Sequence, residues 1–190
     1  MVFIVLDGLD ASGKSTQARR LRESLAIRGK SVYVRIHPSD DNWAGVRTRR
    51  FLLSKGRSAH FAAAMFYVLD VIRSSLLCPW KTHDYVVFVR YLMGTAYLPS
   101  PLYKIAYHFF ATLLPRPKHK FFLNVDPEEA HRRIVESRSE REMFESLEQL
   151  RKVRDKALHL ARMDGWTIVD ANRSEEDVEA QIQMCLHREG

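Results

Sequence analysis

The stretch "FIVLDGLDASGKSTQARRL", from Phe3 to Leu21, decides the fold of this chain. It begins as a short apolar run, breaks at Asp7 into small and polar residues, and then resumes as an amphipathic helix from about Lys14 to Arg28. Within the break, residues 8–15 read GLDASGKS and fit the pattern G-x-x-x-x-G-K-[ST]. Between a strand and a helix, this pattern is typical of a phosphate-binding loop. The alternative is a glycine-rich turn with a structural role only.

A phosphate-binding loop gives each of these residues a chemical role. The two glycines let the backbone curl so that successive N–H groups point at one anion, and the helix N-terminus adds partial positive charge. The Lys14 ammonium is expected to reach the β- and γ-phosphates of a nucleoside triphosphate, and the Ser15 hydroxyl to hold Mg²⁺. The predicted triphosphate-binding residues are Gly8, Asp10, Ala11, Ser12, Gly13, Lys14, Ser15 and Thr16.

Length and composition predict one domain over residues 1–190 that binds an anion. The 190 residues are 46% hydrophobic, which suits a single core, and the formal net charge of +7 favours an anionic partner. Only two cysteines are present, which excludes a disulfide framework and favours a reducing, cytoplasmic location. No apolar stretch is long enough to predict a membrane span, and the basic segment "PRPKHK" lacks the elements that accompany nucleic-acid binding.

Strand and helix patterns alternate along the rest of the chain. The β-rich runs are "VFIVL", "SVYVRI", "DYVVFV", "FFLNV" and "WTIVD". Helical patterns cover roughly Trp43–Leu53, His60–Leu77, Ser100–Leu114, Pro127–Ser137, Phe144–Met163 and a last helix capped by Ser174. This alternation predicts a three-layer α/β fold, with a five-stranded parallel sheet covered by helices on both faces. The ligand crevice is expected at the carboxyl ends of the strands.

Several segments together resemble the thymidylate kinase family of nucleoside monophosphate kinases. They are "FIVLDGLDASGKSTQ", "VVFVRYLMGTAYLP", "FFLNVDPEEAHRRI", "FESLEQLRKVRDKALHLA" and "WTIVDANRSEEDVEAQI", and the resemblance covers most of the chain. It implies a P-loop NTPase fold with a helical lid at about residues 134–145. It also implies ATP and Mg²⁺ as cofactors, and transfer of the γ-phosphate of ATP onto dTMP. The resemblance further implies a homodimer, built on the His60–Leu77 and Ser100–Leu114 helices.

The resemblance assigns the acceptor side of the site to a small set of residues. Arg90 would grip the acceptor phosphate, and an arginine can do so bidentately. Asp10 corresponds to the acid that holds the sugar 3′-hydroxyl, Phe66 to the aromatic residue on which the base stacks, and Tyr97 to a wall of the sugar pocket. On the donor side, Asn172 lies in the segment that borders adenine.

The lid is expected to supply the arginine of the transfer step. Some family members carry an arginine inside the P-loop, where this chain has Ala11, and others supply it from the lid. Arg138 and Arg141 flank the "SRSER" turn, so the chain resembles the second kind, with an arginine finger in the lid. Solvated basic residues on a charged helix pair are the alternative. Arg132 and Arg133 are weaker candidates for this role, because helix surfaces are routinely basic.

Four departures from the family pattern lie on the acceptor side. Val89 replaces the aspartate before Arg90, and Asp70 stands four residues after Phe66, where the family has a thymine-reading arginine. Asp70 could accept hydrogen bonds from amino or hydroxyl groups of a substrate. Acidic residues of "HPSDD" stand near the expected position of a phosphate-binding arginine. The spacing from Arg90 to Tyr97 is shorter than in typical bacterial members of the family. Leu98 stands where the family has a glutamine after that tyrosine. The acceptor is therefore dTMP, another nucleotide or a different small molecule, and a nucleotide-binding regulatory protein without phosphoryl transfer is the alternative from another class.

Overall fold

Five parallel strands form one sheet in the order β2-β3-β1-β4-β5. The strands are β1 (Val2–Gly8), β2 (Val32–Ile36), β3 (Tyr85–Val89), β4 (His119–Asn124) and β5 (Thr167–Asp170). All five coincide with the runs that the sequence predicts, and the parallel pairing confirms the predicted α/β architecture. The computed structural model describes residues 1–53, 57–137 and 146–188, so the predicted lid arginines Arg138 and Arg141 lie outside the described residues.

Helices connect the strands and cover the sheet. They are α1 (Lys14–Ile27), α2 (Trp43–Leu52), α3 (Arg57–Leu77), α4 (Leu102–Leu113), α5 (Pro127–Ser137), α6 (Leu147–Met163) and α7 (Glu175–Arg188). A short 3-10 helix at Met93–Tyr97, which the sequence pattern does not predict, follows β3. No helix in the described part of the chain is both long and apolar enough to cross a bilayer.

The sheet core follows from the continuous apolar runs of its central strands. β1 pairs with β3 on one side and with β4 on the other, and Ile4, Val5 and Leu6 have no exposed surface. Strands buried on both faces need apolar residues at every position rather than at alternate positions. The carboxyl ends of β1 and its two neighbours therefore meet at one edge of the sheet, where the P-loop begins.

Local capping explains where several helices begin. Asn42 caps α2, because its side-chain oxygen accepts hydrogen bonds from the backbone N–H groups of Ala44 and Gly45. Ser146 caps α6, which begins three residues later than the sequence pattern predicts. The predicted cap of α7 is confirmed, because the Asp177 N–H donates to the Ser174 hydroxyl at 3.1 Å.

Candidate active site

The loop between β1 and α1 has the curled backbone that its glycines predict. Gly8 and Gly13 have φ angles of 150° and 86°, and Ala11 also lies in the left-handed region at 57°. A side chain at Gly8 would place a Cβ 2.5 Å from the Leu123 carbonyl oxygen, so only glycine fits there. Gly13 precedes α1 without a side-chain cap from the described residues, and the N-terminus of α1 adds partial positive charge where an anion would bind.

Lys14 lies inside this curl rather than in solvent. Its side chain is buried, and its ammonium contacts the carbonyl oxygens of Gly8, at 3.1 Å, and Leu9, and lies 3.3 Å from the Ser12 hydroxyl. Ser15 is exposed and Thr16 is half-buried at the start of α1. The loop therefore brings together all eight residues that the sequence predicts for triphosphate binding, with the lysine at its centre.

A buried carboxylate joins the P-loop to the segment after β3. Asp7 accepts hydrogen bonds from its neighbour Gly8 N–H, at 3.0 Å, and from the N–H groups of Tyr91 and Met93, at 2.8 and 3.0 Å. Burial raises the pKa of the Asp7 carboxyl, and these donors and the Lys14 charge offset only part of that rise. The start of the P-loop and the segment carrying Arg90 therefore share one buried anchor.

Arg90 contacts the P-loop directly. Its guanidinium pairs with the Asp10 carboxylate, and the Tyr97 hydroxyl donates to the same carboxylate at 3.1 Å. Burial alone would raise the pKa of Asp10, but the charges of Arg90 and Lys14 lower it below its usual value. Three residues that the sequence predicts for the acceptor side thus form one hydrogen-bonded cluster beside the triphosphate loop.

Arg90 is also held from its other side by His37, at the end of β2. The His37 Nδ1 atom lies 2.9 Å from the Arg90 carbonyl oxygen, and the Arg90 guanidinium donates to the His37 carbonyl oxygen at 3.2 Å. Arg90 itself is a non-glycine residue with a φ of 60°. The sequence gives no signal for this contact, because strand ends that lie 53 residues apart meet only in the folded sheet.

Asp70 occupies a buried network instead of an open pocket. Its two oxygens accept from the Ser39 N–H at 2.7 Å, the Ser39 hydroxyl at 2.5 Å and the Asn42 amide at 2.8 Å. One Arg35 guanidinium nitrogen lies 3.9 Å from an Asp70 carboxylate oxygen. The two terminal nitrogens of Arg35 make a bidentate pair with Asp41 at 2.6 and 2.8 Å. These contacts give Asp70 a role in holding residues 37–42, and its predicted contact with the acceptor stays a prediction.

Phe66 and its neighbour Tyr67 face different parts of the molecule. The Phe66 ring stacks on Phe51 at 5.6 Å and meets Trp43 edge-on at 5.9 Å. The Tyr67 hydroxyl donates to the Tyr91 carbonyl oxygen at 3.2 Å, and its ring packs against Gly94. Burial raises the pKa of Tyr67 well above its usual value, and the Asp7 charge adds to this. Tyr67 is therefore the aromatic residue of the two that lies beside the Arg90 segment, and the predicted stacking of a base on Phe66 stays a prediction.

Arg133 reaches the donor side of the site. It pairs with Glu129 at 2.7 Å, and its guanidinium donates to the carbonyl oxygens of Ala11 and Ala171, both at 3.3 Å. Arg133 is a weaker candidate than Arg138 and Arg141 on the sequence alone, because its spacing on α5 gives no sign of these distant partners. Asn172 lies next to this contact, and its side-chain oxygen accepts from the Asp126 N–H at 2.8 Å. Arg133 thus links the P-loop to the segment predicted to border adenine.

The residues present fit a magnesium ion that is held mainly by phosphate oxygens and water. Val89, at the position of the family aspartate, is fully buried at the end of β3. No group of three or more His, Cys, Asp or Glu side chains in the described ranges forms a metal cage. Mg²⁺ usually takes only one or two protein ligands beside a nucleotide, and the exposed Ser15 hydroxyl at the start of α1 suits that arrangement.

Comparisons with known proteins identify the family of this chain. The family model described as thymidylate kinase matches residues 6–182. A probable thymidylate kinase of Pyrobaculum calidifontis is 30% identical, with 98% of this chain and 96% of that protein covered. The thymidylate kinase of Plasmodium falciparum is 31% identical, with 95% and 87% covered. The solved thymidylate kinase of Candida albicans has the same fold, with a TM-score of 0.79 at 21% identity over 99% of this chain and 92% of that one. The chain therefore belongs to the thymidylate kinase family.

Proposed function

We propose that this chain is an ATP- and Mg²⁺-dependent phosphotransferase that moves the γ-phosphate of ATP onto the 5′-phosphate of a nucleoside monophosphate such as dTMP. The observation that carries the proposal is the pairing of the Arg90 guanidinium with Asp10 of the P-loop. This pair places the Arg90 guanidinium, the proposed partner of the acceptor phosphate, beside the P-loop. The γ-phosphate of ATP and the acceptor phosphate must approach each other in line there. Membership of the thymidylate kinase family supports the same reaction.

The chain supplies position and positive charge to this reaction. The loop N–H groups and the Lys14 ammonium would hold the β- and γ-phosphates, and Arg90 would orient the acceptor phosphate. Mg²⁺, bound with the nucleotide beside Ser15, would neutralise charge on the phosphate oxygens. Arg90 would exchange part of its contact with Asp10 for the acceptor phosphate, which leaves the Asp10 carboxylate for a sugar hydroxyl.

Arginines from the lid side complete the donor half of the proposal. Arg138 and Arg141 would close over the transferring phosphoryl group as an arginine finger. Arg133 supports this assignment from the described part of the chain, because its guanidinium already lies on the P-loop at Ala11. We propose that Arg133 and the Asn172 segment border the nucleotide base.

The acceptor pocket is proposed to lie between α3 and the 3-10 helix. Tyr97 would form its sugar wall, because its hydroxyl already contacts Asp10. Tyr67 would meet the base from α3, and the predicted base contacts of Phe66 and Asp70 remain as alternatives. A different acceptor on the same scaffold is the second candidate, because Val89 and Asp70 replace two family residues and neither side chain is exposed.

Steady-state release of ADP tests the proposed reaction. Purified protein with Mg-ATP is assayed against dTMP, the other nucleoside monophosphates, nucleosides and phosphorylated metabolites. Turnover is expected with dTMP at a rate of about 1–100 s⁻¹, the usual range for kinases. Turnover with only another compound would support the second candidate, and ATP binding without turnover on any compound would contradict phosphoryl transfer.

We also propose a cytoplasmic homodimer built on α3 and α4. The α4 residues Leu102, Ile105, Phe109 and Leu113 are each more than half exposed and recur on one face of the helix. Leu76 and Leu77 are exposed in the same way at the end of α3. An apolar surface of this kind on a water-facing helix marks an interface with another protein surface. The free thiols of Cys78 and Cys185 support a reducing compartment.

A further inference from the structure

Residue 90 carries the acceptor arginine in a backbone conformation that needs support. A non-glycine residue at a φ of 60° costs about 1–2 kcal/mol relative to ordinary conformations. Such a conformation persists only where the surroundings fix the peptide groups on both sides. The hydrogen bonds of these two peptide groups therefore determine where the Arg90 side chain points.

Four contacts of the described residues fix these peptide groups, and one of them is the His37 N–H, which donates to the Val89 carbonyl oxygen at 3.0 Å. The Arg90 N–H donates to the Leu6 carbonyl oxygen of β1 at 3.0 Å, and the following N–H, of Tyr91, donates to Asp7 at 2.8 Å. The Arg90 carbonyl oxygen meets the Nδ1 atom of His37 at 2.9 Å. The two backbone contacts, from the His37 N–H and to the Leu6 carbonyl oxygen, continue the sheet, whereas the contacts of Asp7 and of the His37 ring come from side chains. His37 is the side chain that holds the carbonyl.

We propose that His37 is a positioning residue for the acceptor phosphate: its Nδ1–H holds the Arg90 carbonyl, and through it the direction of the Arg90 guanidinium. This inference deepens the proposed function and rests on its assignment of Arg90 to the acceptor phosphate. His37 itself is fully buried, so its proposed action on the acceptor phosphate passes through Arg90. Its own carbonyl accepts from the Arg90 guanidinium at 3.2 Å, so residue 37 contacts both ends of the arginine.

The environment of the ring fixes which nitrogen carries the proton. A carbonyl oxygen only accepts hydrogen bonds, so Nδ1 must be the donor, and Nε2 has no hydrogen-bond partner among the described protein residues. The charged groups that face the ring are Asp70 from α3 and Arg35 from β2, and Arg90 lies beyond the carbonyl. Burial lowers the pKa of His37 to about 4, which the Asp70 charge opposes, so the ring is neutral at pH 7.

A role in packing alone explains a histidine at position 37 less well than the proposed role in positioning Arg90. A leucine in the same apolar surroundings, beside the Phe88 ring at 5.3 Å, would leave no buried ring nitrogen to satisfy. An unpaired buried acceptor costs about 1–3 kcal/mol. The gain from histidine is the hydrogen bond to Arg90, which only a donor at the Nδ1 position provides.

Nitrogen-15 NMR of the histidine side chains tests the geometry without any activity. In the wild-type protein at pH 7, His37 is expected to show a protonated Nδ1 and a bare Nε2, and the same state is expected at pH 5.5. The Nε2–H tautomer at His37 would overturn the inference, and so would a doubly protonated ring at pH 7. Assignment comes from loss of the signal in a His37→Asn variant.

Kinetics of matched variants test the positioning role. Asn places an amide N–H as many bonds from Cα as Nδ1, whereas Leu fills space without a donor. We expect His37→Leu to lower kcat/KM for dTMP at least about tenfold. His37→Asn should remain within about threefold of wild type, with KM for ATP unchanged in both variants. The exposed α6 residue His159 provides the control variant His159→Leu, which should match wild type.

An Arg90→Met variant separates failure of this inference from failure of the proposed function. If Arg90→Met uses dTMP as well as wild type does, the assignment of Arg90 to the acceptor phosphate is wrong. If Arg90→Met loses dTMP turnover but His37→Leu does not, only the role of His37 is wrong. Equal losses in the Leu and Asn variants would also overturn it. Should His37→Leu fail to fold, the NMR result and the Asn variant still decide.

Discussion

The P-loop and the 37–42 loop lie on either side of the Arg90 segment at the carboxyl end of the sheet, yet they are held in different ways. Residues 8–15 take their shape from two glycines, a lysine and a helix N-terminus that are adjacent in the sequence. Residues 37–42 take theirs from Asp70, a side chain of α3 that lies 28 to 31 residues further along. The function of a loop of the first kind can be predicted from a short motif. The residue that holds a loop of the second kind is identified only in the folded molecule.

The largest expected effect is on the self-contained loop. Lys14→Ala should lower kcat about 10³-fold, because the ammonium stabilises charge that develops on the transferring phosphate. The exposed Lys30, which lies between α1 and β2, provides the control variant Lys30→Ala, which removes the same charge at the opposite end of α1 from the loop. Measurement of ADP release with both variants checks this. Equal activity of Lys14→Ala and Lys30→Ala would contradict the donor site.

Acid should lower the free energy of unfolding through His37. The pKa of this ring falls from its usual 6.5 to about 4 in the folded protein, chiefly through burial. Between these values the unfolded state binds a proton that the folded state does not, so stability is lost as the pH falls from about 6.5 to about 4. The loss amounts to roughly 3 kcal/mol at full extent.

Denaturant titrations at pH 7 and pH 4.5 measure this contribution. The decrease in the free energy of unfolding should be larger for the wild type than for His37→Asn, which has no titrating ring. The difference between the two proteins matters here, because carboxylates titrate in both of them. An identical decrease in the two proteins would show that His37 is not held neutral in the fold.

The Asp70 network should separate acceptor binding from donor binding. Asp70→Asn replaces one accepting oxygen with a donor, so at least one of the Ser39 or Asn42 hydrogen bonds is lost. We expect a loss of about 2 kcal/mol in the free energy of unfolding. KM for dTMP should rise while KM for ATP stays constant. The matched control is Asp155→Asn on the exposed face of α6. If KM for ATP rises in Asp70→Asn but not in Asp155→Asn, the separation of acceptor binding from donor binding is wrong.

The smallest effect is expected at the outer edge of the same network. Asp41 makes a bidentate pair with Arg35, but its side chain is 59% exposed. Exposed ion pairs contribute little, so Asp41→Asn should lower the free energy of unfolding by about 0.5 kcal/mol. A chemical denaturation curve checks this. A loss equal to that of Asp70→Asn would show that the loop is held from its solvent side instead.

The sequence predicted those parts of the fold that depend on local pattern. All five strands, the P-loop and the Ser174 cap follow from short apolar runs, glycine spacing and capping residues. The strand order and the 3-10 helix at Met93–Tyr97 do not, because they depend on which segments pack together.

The candidate site divides in the same way. Lys14, Asp10, Arg90 and Tyr97 were predicted and lie together, because each belongs to a recognisable segment. The contacts of Tyr67, Arg133 and His37 were not predicted, because they join residues 24, 122 and 53 positions apart in the sequence. No residue type or spacing within a segment signals such partners.

Titration calorimetry of the Arg90→Met variant tests the central claim most directly, with Mg-ATP and dTMP added in separate experiments and the wild type as reference. Because Arg90 belongs to the acceptor side, the variant should bind Mg-ATP within about twofold of the wild-type affinity. It should also lose most of the heat of dTMP binding. Unchanged dTMP binding, or loss of ATP binding instead, would contradict the division of the site into a P-loop that holds the donor and an arginine that holds the acceptor.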